Sequence, residues 1–113
     1  MNITFVDKKL ETLSEDYNIC RQKMGVKRAK LFIKRLNALR DADSLEDVRN
    51  LPGRFHELKG DRKGQWVCDL DHPYRLVFTP IENPIPTNEH GQYIWLEITG
   101  VEVIEIINYH KEK

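Results

Sequence analysis

Hydrophobic positions follow one period in the first half of the chain and another in the second. Leu10, Leu13, Tyr17, Cys20 and Met24 recur at three- and four-residue steps, which marks one face of a helix. Asp7 suits the N-cap of that helix and Gly25 its end. Ala29, Phe32, Ile33, Leu36 and Leu39 form a second apolar stripe, which fades at Arg40-Asp41. Ahead of both, Ile3 and Phe5 read as a short strand ending at Asp7. Ser44-Leu45-Glu46-Asp47 reads as a capped helical turn, stopped by Pro52-Gly53. Beyond it the period becomes two. Phe55 to Lys59 is a strand, Gly60 to Gly64 a turn, and Gln65 to Leu70 a strand with Trp66, Cys68 and Leu70 on one face. After the turn Asp71-His72-Pro73, Tyr74, Leu76 and Phe78 alternate with Arg75, Val77 and Thr79. Residues 80–92 have loop composition (Pro80, Pro84, Pro86, Asn83, Asn88, Gly91). Tyr93 to about Ile107 completes the strand material, with a bulge fitting at Thr99-Gly100. The order predicts an α+β fold: an N-terminal strand and a two-helix hairpin packed on a three- to four-stranded antiparallel sheet.

The chain has 113 residues, which predicts one domain spanning 1–113. A domain of this size buries roughly two-thirds of its unfolded surface and needs neither metal nor disulfide. Hydrophobic residues make up 40% and charged residues 32%, an ordinary globular composition that argues against disorder. No apolar run is long enough for a membrane span, and residues 1–7 lack the charged start and apolar stretch of a signal peptide. Cys20 and Cys68 are far apart and outside any C-x-x-C pairing, so free thiols in the cytoplasm are expected.

The 18 basic residues balance the 18 acidic ones overall but not locally. Residues 1–64 hold 15 Lys/Arg against 10 Asp/Glu, whereas residues 65–113 hold 3 against 8. Within 21–40 stand eight basic residues (Arg21, Lys23, Lys27, Arg28, Lys30, Lys34, Arg35, Arg40) and no acidic one. That helix, with the Arg62-Lys63 turn, can meet phosphates, or it can simply be a solvated face.

The sequence contains no metal-ligand spacing, P-loop, dinucleotide turn or nucleophile elbow, so no metal or other cofactor is expected. The one dense polar set comes from the sheet: His56 and Lys59 before the Gly60–Gly64 turn, Arg75 after the next, and Tyr109-His110 at the end. In a meander these segments are neighbours. A histidine pair beside cations suits phosphodiester cleavage of RNA. One group removes the 2′-hydroxyl proton, another protonates the leaving 5′-oxygen, and Lys59 and Arg75 meet the charge of the phosphorane. Tyr109 can stack on a base or share the proton transfer. Each residue also has a plainer reading: a hydrogen-bonded or terminal histidine, a structural Arg75 ion pair, solvated lysines. His72 and His90 receive no role.

Three segments together, His56-Glu57-Leu58-Lys59-Gly60-Asp61-Arg62-Lys63-Gly64-Gln65-Trp66, Pro73-Tyr74-Arg75-Leu76-Val77-Phe78 and Asn108-Tyr109-His110, resemble the HigB-like branch of the RelE/ParE toxin superfamily. The resemblance covers nearly the whole chain. It implies a RelE-like fold and a ribosome-dependent mRNA endonuclease that cuts mRNA in the A site. It also implies the ribosome and mRNA as partners and a HigA-like helix-turn-helix antitoxin, with operator DNA met only through the antitoxin complex. By position, His56, Lys59, Arg75, Tyr109 and His110 match the catalytic set, and Arg62, Lys63 and Asn108 are expected to face RNA. Position 108 is Asn where the family has Asp: an amide can accept a hydrogen bond from the His110 ring but cannot stabilise imidazolium by charge. The 80–92 loop is longer than a compact member needs. Two alternatives carry the same fold, a ParE-like gyrase inhibitor that cuts nothing and a weakened toxin acting mainly as antitoxin partner and co-repressor.

Overall fold

The computed structural model describes residues 1–110, and Tyr109 and His110 lie within it. The chain runs β1 (Asn2–Phe5), α1 (Lys8–Glu15), α2 (Tyr17–Met24), α3 (Val26–Asp41), β2 (His56–Glu57), β3 (Trp66–Asp69), β4 (Tyr74–Pro80) and β5 (Gly100–Asn108). Short 3-10 turns occupy Glu46–Asn50, Gly60–Arg62 and Trp95–Glu97. The sheet order is β1-β5-β4-β3-β2. β2 to β5 form the antiparallel meander expected, and β1 adds a fifth strand, parallel to β5.

The first helical stripe folds as two helices rather than one, because Asp16 interrupts it. Its backbone is extended (φ −121°, ψ 99°), its N–H closes α1 on the Thr12 carbonyl, and its side chain accepts from the Ile19 N–H to start α2. A short carboxylate competes with the helical backbone in this way and is worth more as a cap than inside a helix. Asp7 caps α1 through the Leu10 N–H at 2.9 Å. Gly25, at φ +85°, ends α2 and opens α3. Ser44 and Asp47 do form a capped turn, with the Ser44 N–H and hydroxyl both donating to the Asp47 carboxylate at 3.2 and 3.0 Å.

The helices cover one face of the sheet. Leu10, Cys20, Ala29, Phe32, Leu36 and Leu39 pack there against Trp66, Cys68, Leu76, Phe78, Val101 and Val103. Burial pushes both thiols up, Cys68 far out of the range in which a thiolate forms. The opposite face keeps a small apolar centre of Val67, Val77 and Ile107, with Leu58 and Ile104 packed on it.

Two expectations about the C-terminal half are corrected. Residues 94–99 are not strand and Tyr93 makes only an isolated antiparallel bridge to Thr87: Trp95–Glu97 is a 3-10 turn, and the last strand begins at Gly100. Tyr93 and Trp95 instead pack on the core, their rings 5.1 Å apart and Trp95 5.4 Å from Trp66. The loop before them is pinned by Asn88, whose side-chain oxygen accepts the His90 and Gln92 N–H groups at 2.8 and 3.0 Å. The bulge does not lie at Thr99-Gly100. Register passes from Val77↔Glu105 to Phe78↔Val103, so Ile104 is the extra residue.

Two of the eight basic residues of 21–40 are structural. Arg35 is 9% exposed and donates to the Asp69 carbonyl at 2.8 Å. Arg28 forks onto Asp71 at 2.8 and 3.2 Å and lies 3.4 Å from the Tyr74 ring centroid. For Asp71, partial burial pushes the carboxyl up. The Arg28 hydrogen bonds and charge, Asp71's own backbone N–H and the Lys27 charge outweigh that, and the net direction is down. A carboxyl lowered in the fold stabilises it above the unfolded value of about 4 and loses that contribution as pH falls through the lowered native value. Asp71→Asn is therefore expected to lower stability by about 1–3 kcal/mol at pH 7. In urea titrations the gap from the parent should narrow steadily below about pH 4. A gap independent of pH would mean that the charge of Asp71 contributes nothing.

Candidate functional site

The uncovered sheet face carries the polar set, and strand register decides which members meet. Residues directly opposite one another share a face. One cross-strand row holds His56, Val67, Val77 and Glu105. The next holds Asp69, Arg75 and Ile107, with Arg54 reaching Asp69 from beyond the end of β2. The Ile104 bulge decides which way the rest of β5 faces. Plain alternation from Val103, which faces the helices, would turn position 109 to the helix side. The extra residue reverses it, so Glu105 and Ile107 share the open face and Tyr109 continues it. The Tyr109 N–H then donates to the Pro73 carbonyl at 2.8 Å, which carries the pairing one step past β5 and sets Tyr109-His110 beside the 71–73 turn.

Arg75, Tyr109 and His110 are thereby brought together. The Arg75 guanidinium lies 4.0 Å from the Tyr109 ring centroid, and its Nε is 3.1 Å from Asp69. The Tyr109 and His110 rings are 6.4 Å apart. Arg54, Asp69, His72 and Arg75 line a small cleft of about 70 Å³ at this end of the sheet. Two guanidinium groups against one carboxylate leave the cleft with an excess positive charge, which favours an anion.

His56 stands one row away and two strands across, roughly 12 Å from Arg75 at the usual strand spacings. Its Nδ1 is 2.6 Å from the Arg54 carbonyl. A carbonyl only accepts, so Nδ1 carries the proton and Nε2 of the neutral ring keeps its lone pair. Arg54 itself has φ +52°, the one positive φ among the non-glycine residues described. Backbone held in that region by a residue with a Cβ costs about 1–3 kcal/mol, and such strain gathers at working sites.

Lys59 does not join this group. Three residues after His56 on an extended segment, it falls on the opposite face, with Glu57, and lines a cleft of about 240 Å³ with Lys63, Tyr93 and Trp95. Lys63 is exposed, its Nζ 5.5 Å from the Tyr93 ring centroid. Arg62 is on the open face but engaged, with Gln65 at 2.8 Å and in an ion pair with Glu105. The Asn108 side-chain oxygen accepts from the His110 backbone N–H at 3.1 Å, not from its ring. Asn and Asp are equally able to make that bond.

The ring of His110 meets a residue to which sequence reasoning gave no role. Its Nε2 is 3.0 Å from Nε2 of His72, with ring centroids 4.9 Å apart and nearly perpendicular planes. No pattern near position 72 announces this, because the contact joins the β3–β4 turn to the segment after β5.

The fold is thus three helices on one face of a five-stranded mixed sheet. A chain of the YoeB-YefM complex from Staphylococcus aureus shares it, with a TM-score of 0.56 and 19% identity over 94% of this chain and 93% of that one. A YoeB/ParE toxin from Agrobacterium tumefaciens aligns over 94% and 95% of the two chains at 17% identity, with a TM-score of 0.44. No family model and no curated protein matches the chain. Among the described residues no helix is long and apolar enough to cross a membrane.

Proposed function

We propose that the chain is the toxin of a type II toxin–antitoxin pair and cleaves mRNA on the ribosome without a metal. The observation that carries this reading is the convergence of Arg75, Tyr109 and His110 at the positively charged end of the open sheet face. The shared fold with a chain of the YoeB-YefM complex supports a toxin and an antitoxin partner. The resemblance in sequence supports a HigA-like antitoxin, and such a pair would act in the cytoplasm.

The chemistry rests on the atoms available. His56 Nε2 takes the proton of the ribose 2′-hydroxyl. The 2′-oxygen bonds to phosphorus while the bond to the 5′-oxygen breaks, leaving a 2′,3′-cyclic phosphate. Arg75 meets the charge on the phosphorane oxygens. His110 gives a proton to the departing 5′-oxygen, and Tyr109, stacked on Arg75, presents its ring to a base. Lys59 and Lys63 then contact RNA away from the scissile bond.

Primer extension on cellular transcripts after brief induction tests the reading. The parent protein should cut within translated codons, and His110→Ala should remove the cuts while antitoxin binding persists. DNA cleavage complexes with gyrase in place of mRNA cuts would make the protein a gyrase inhibitor. Neither cuts nor growth arrest would leave it an antitoxin partner and co-repressor.

A further inference from the structure

The contact between His72 and His110 is specific in its atoms. Both rings belong to exposed residues free to turn into solvent, yet their Nε2 atoms meet at 3.0 Å. One of the two must donate and the other accept. The surroundings restrict the choice. Asp71 precedes His72 but is committed to Arg28, and Asp69 is committed to Arg75 and Arg54. On the other side stand Tyr109 and the Asn108 oxygen, which is occupied by the His110 backbone N–H. Among the described residues, each imidazole therefore finds its nitrogen partner in the other ring. With Nε2 of His110 taken up by His72, the nitrogen of His110 left for a substrate is Nδ1.

We propose that His72 is a positioning residue for His110: it fixes the ring so that the Nδ1–H faces the substrate, and it resupplies the proton that His110 gives away. This rests on the nuclease reading above. The relay requires one extra proton on the pair, on His72 Nε2 and shared towards His110. As the phosphorus–5′-oxygen bond breaks, His110 Nδ1–H passes its proton to the oxygen, and the shared proton moves onto His110 Nε2. His72 is left neutral, with its own Nδ1 proton. The leaving group gains one proton, the pair loses one, and neither ring becomes an anion. Without His72, His110 must itself be protonated before it can act, because a neutral ring giving up Nδ1–H would have to become imidazolate, a far poorer acid.

The test uses ribosomes programmed with two matched mRNAs. One has the ordinary 5′-oxygen at the scissile bond, and the other a bridging 5′-sulfur, whose thiolate leaves without a proton. On the ordinary mRNA, His72→Ala is expected to lower kcat about 10–100-fold with KM within about twofold of the parent. His72→Gln, which keeps an amide partner for the ring but cannot relay a proton, should hold KM and remain slow. On the sulfur-bridged mRNA, His72→Ala and His72→Gln should both come within about threefold of the parent. Imidazole ¹⁵N resonances of His110 should also change on His72→Ala in the RNA-free protein. Parent-like kcat for His72→Ala on the ordinary mRNA would overturn the proposal, as would a defect that persists on the sulfur-bridged mRNA or unchanged His110 resonances. If the parent cuts neither mRNA, the nuclease reading itself has failed, whatever the resonances report.

Discussion

Arg75→Ala is expected to lower single-turnover mRNA cleavage by about 10²–10³-fold, the usual cost of removing one donor aimed at developing oxyanion charge. The side chain is held from two sides, by the Asp69 carboxylate at 3.1 Å and by the Tyr109 ring at 4.0 Å, and it is only 17% exposed. Such restraint is what a preorganised cation needs, since it loses no freedom when the phosphorane forms. It is equally what a purely structural ion pair looks like, and the two roles separate in the variants. Removing Arg75 leaves Asp69 beside Arg54, at 3.4 Å, so the carboxylate keeps a counter-charge and the fold should survive. Arg75→Lys retains the charge but loses the planar fork and the stacking on Tyr109, and should stay at least about 10-fold slow. A folded Arg75→Ala protein within about threefold of parent activity would reduce Arg75 to its ion pair and remove the cation from the mechanism.

The sequence made the apolar side of this molecule easier to read than its polar end. Helical stripes and strand alternation report burial, and burial is decided mostly within each element; Phe32, Leu36, Trp66, Leu76 and Phe78 all lie on the covered face. The break at Asp16 was hidden because the apolar stripe continues through it and only the backbone leaves the helix. Site geometry depends on register between strands far apart in sequence, and a single residue can reverse it. Ile104 has nothing to mark it among Val101, Val103, Ile106 and Ile107, yet as the bulge it turns Tyr109 onto the face of Arg75. Lys59 illustrates the opposite case. Its spacing of three from His56 puts the two on different faces of an extended segment. His72 was out of reach because its partner lies 38 residues away, beyond the last strand.

The support beneath the site gives the second large effect, at Gly53. This glycine sits at φ +112°, and an added Cβ would lie 2.5 Å from Nε and 2.8 Å from Cζ of Arg35. That Arg35 Nε donates to the Asp69 carbonyl, while the Asp69 N–H donates to the Gly53 carbonyl at 2.7 Å. One close approach thus ties α3, the Pro52-Gly53 stop and β3 together beneath the carboxylate that holds Arg75. Gly53→Ala would strain the backbone by about 1–3 kcal/mol and push a buried guanidinium off its acceptor, worth roughly 1.5–3 kcal/mol. The expected loss is about 3 kcal/mol or more, or roughly 12 °C or more in Tm. The double variant with Arg35→Leu separates the two contributions. With the guanidinium gone only the backbone strain should remain, so the cost of Gly53→Ala in that background should shrink by about 1.5 kcal/mol or more. Equal costs in both backgrounds would show that the glycine is needed for its dihedral angle alone. A Gly53→Ala protein as stable as the parent would mean that Asp69, and Arg75 with it, is held without this contact.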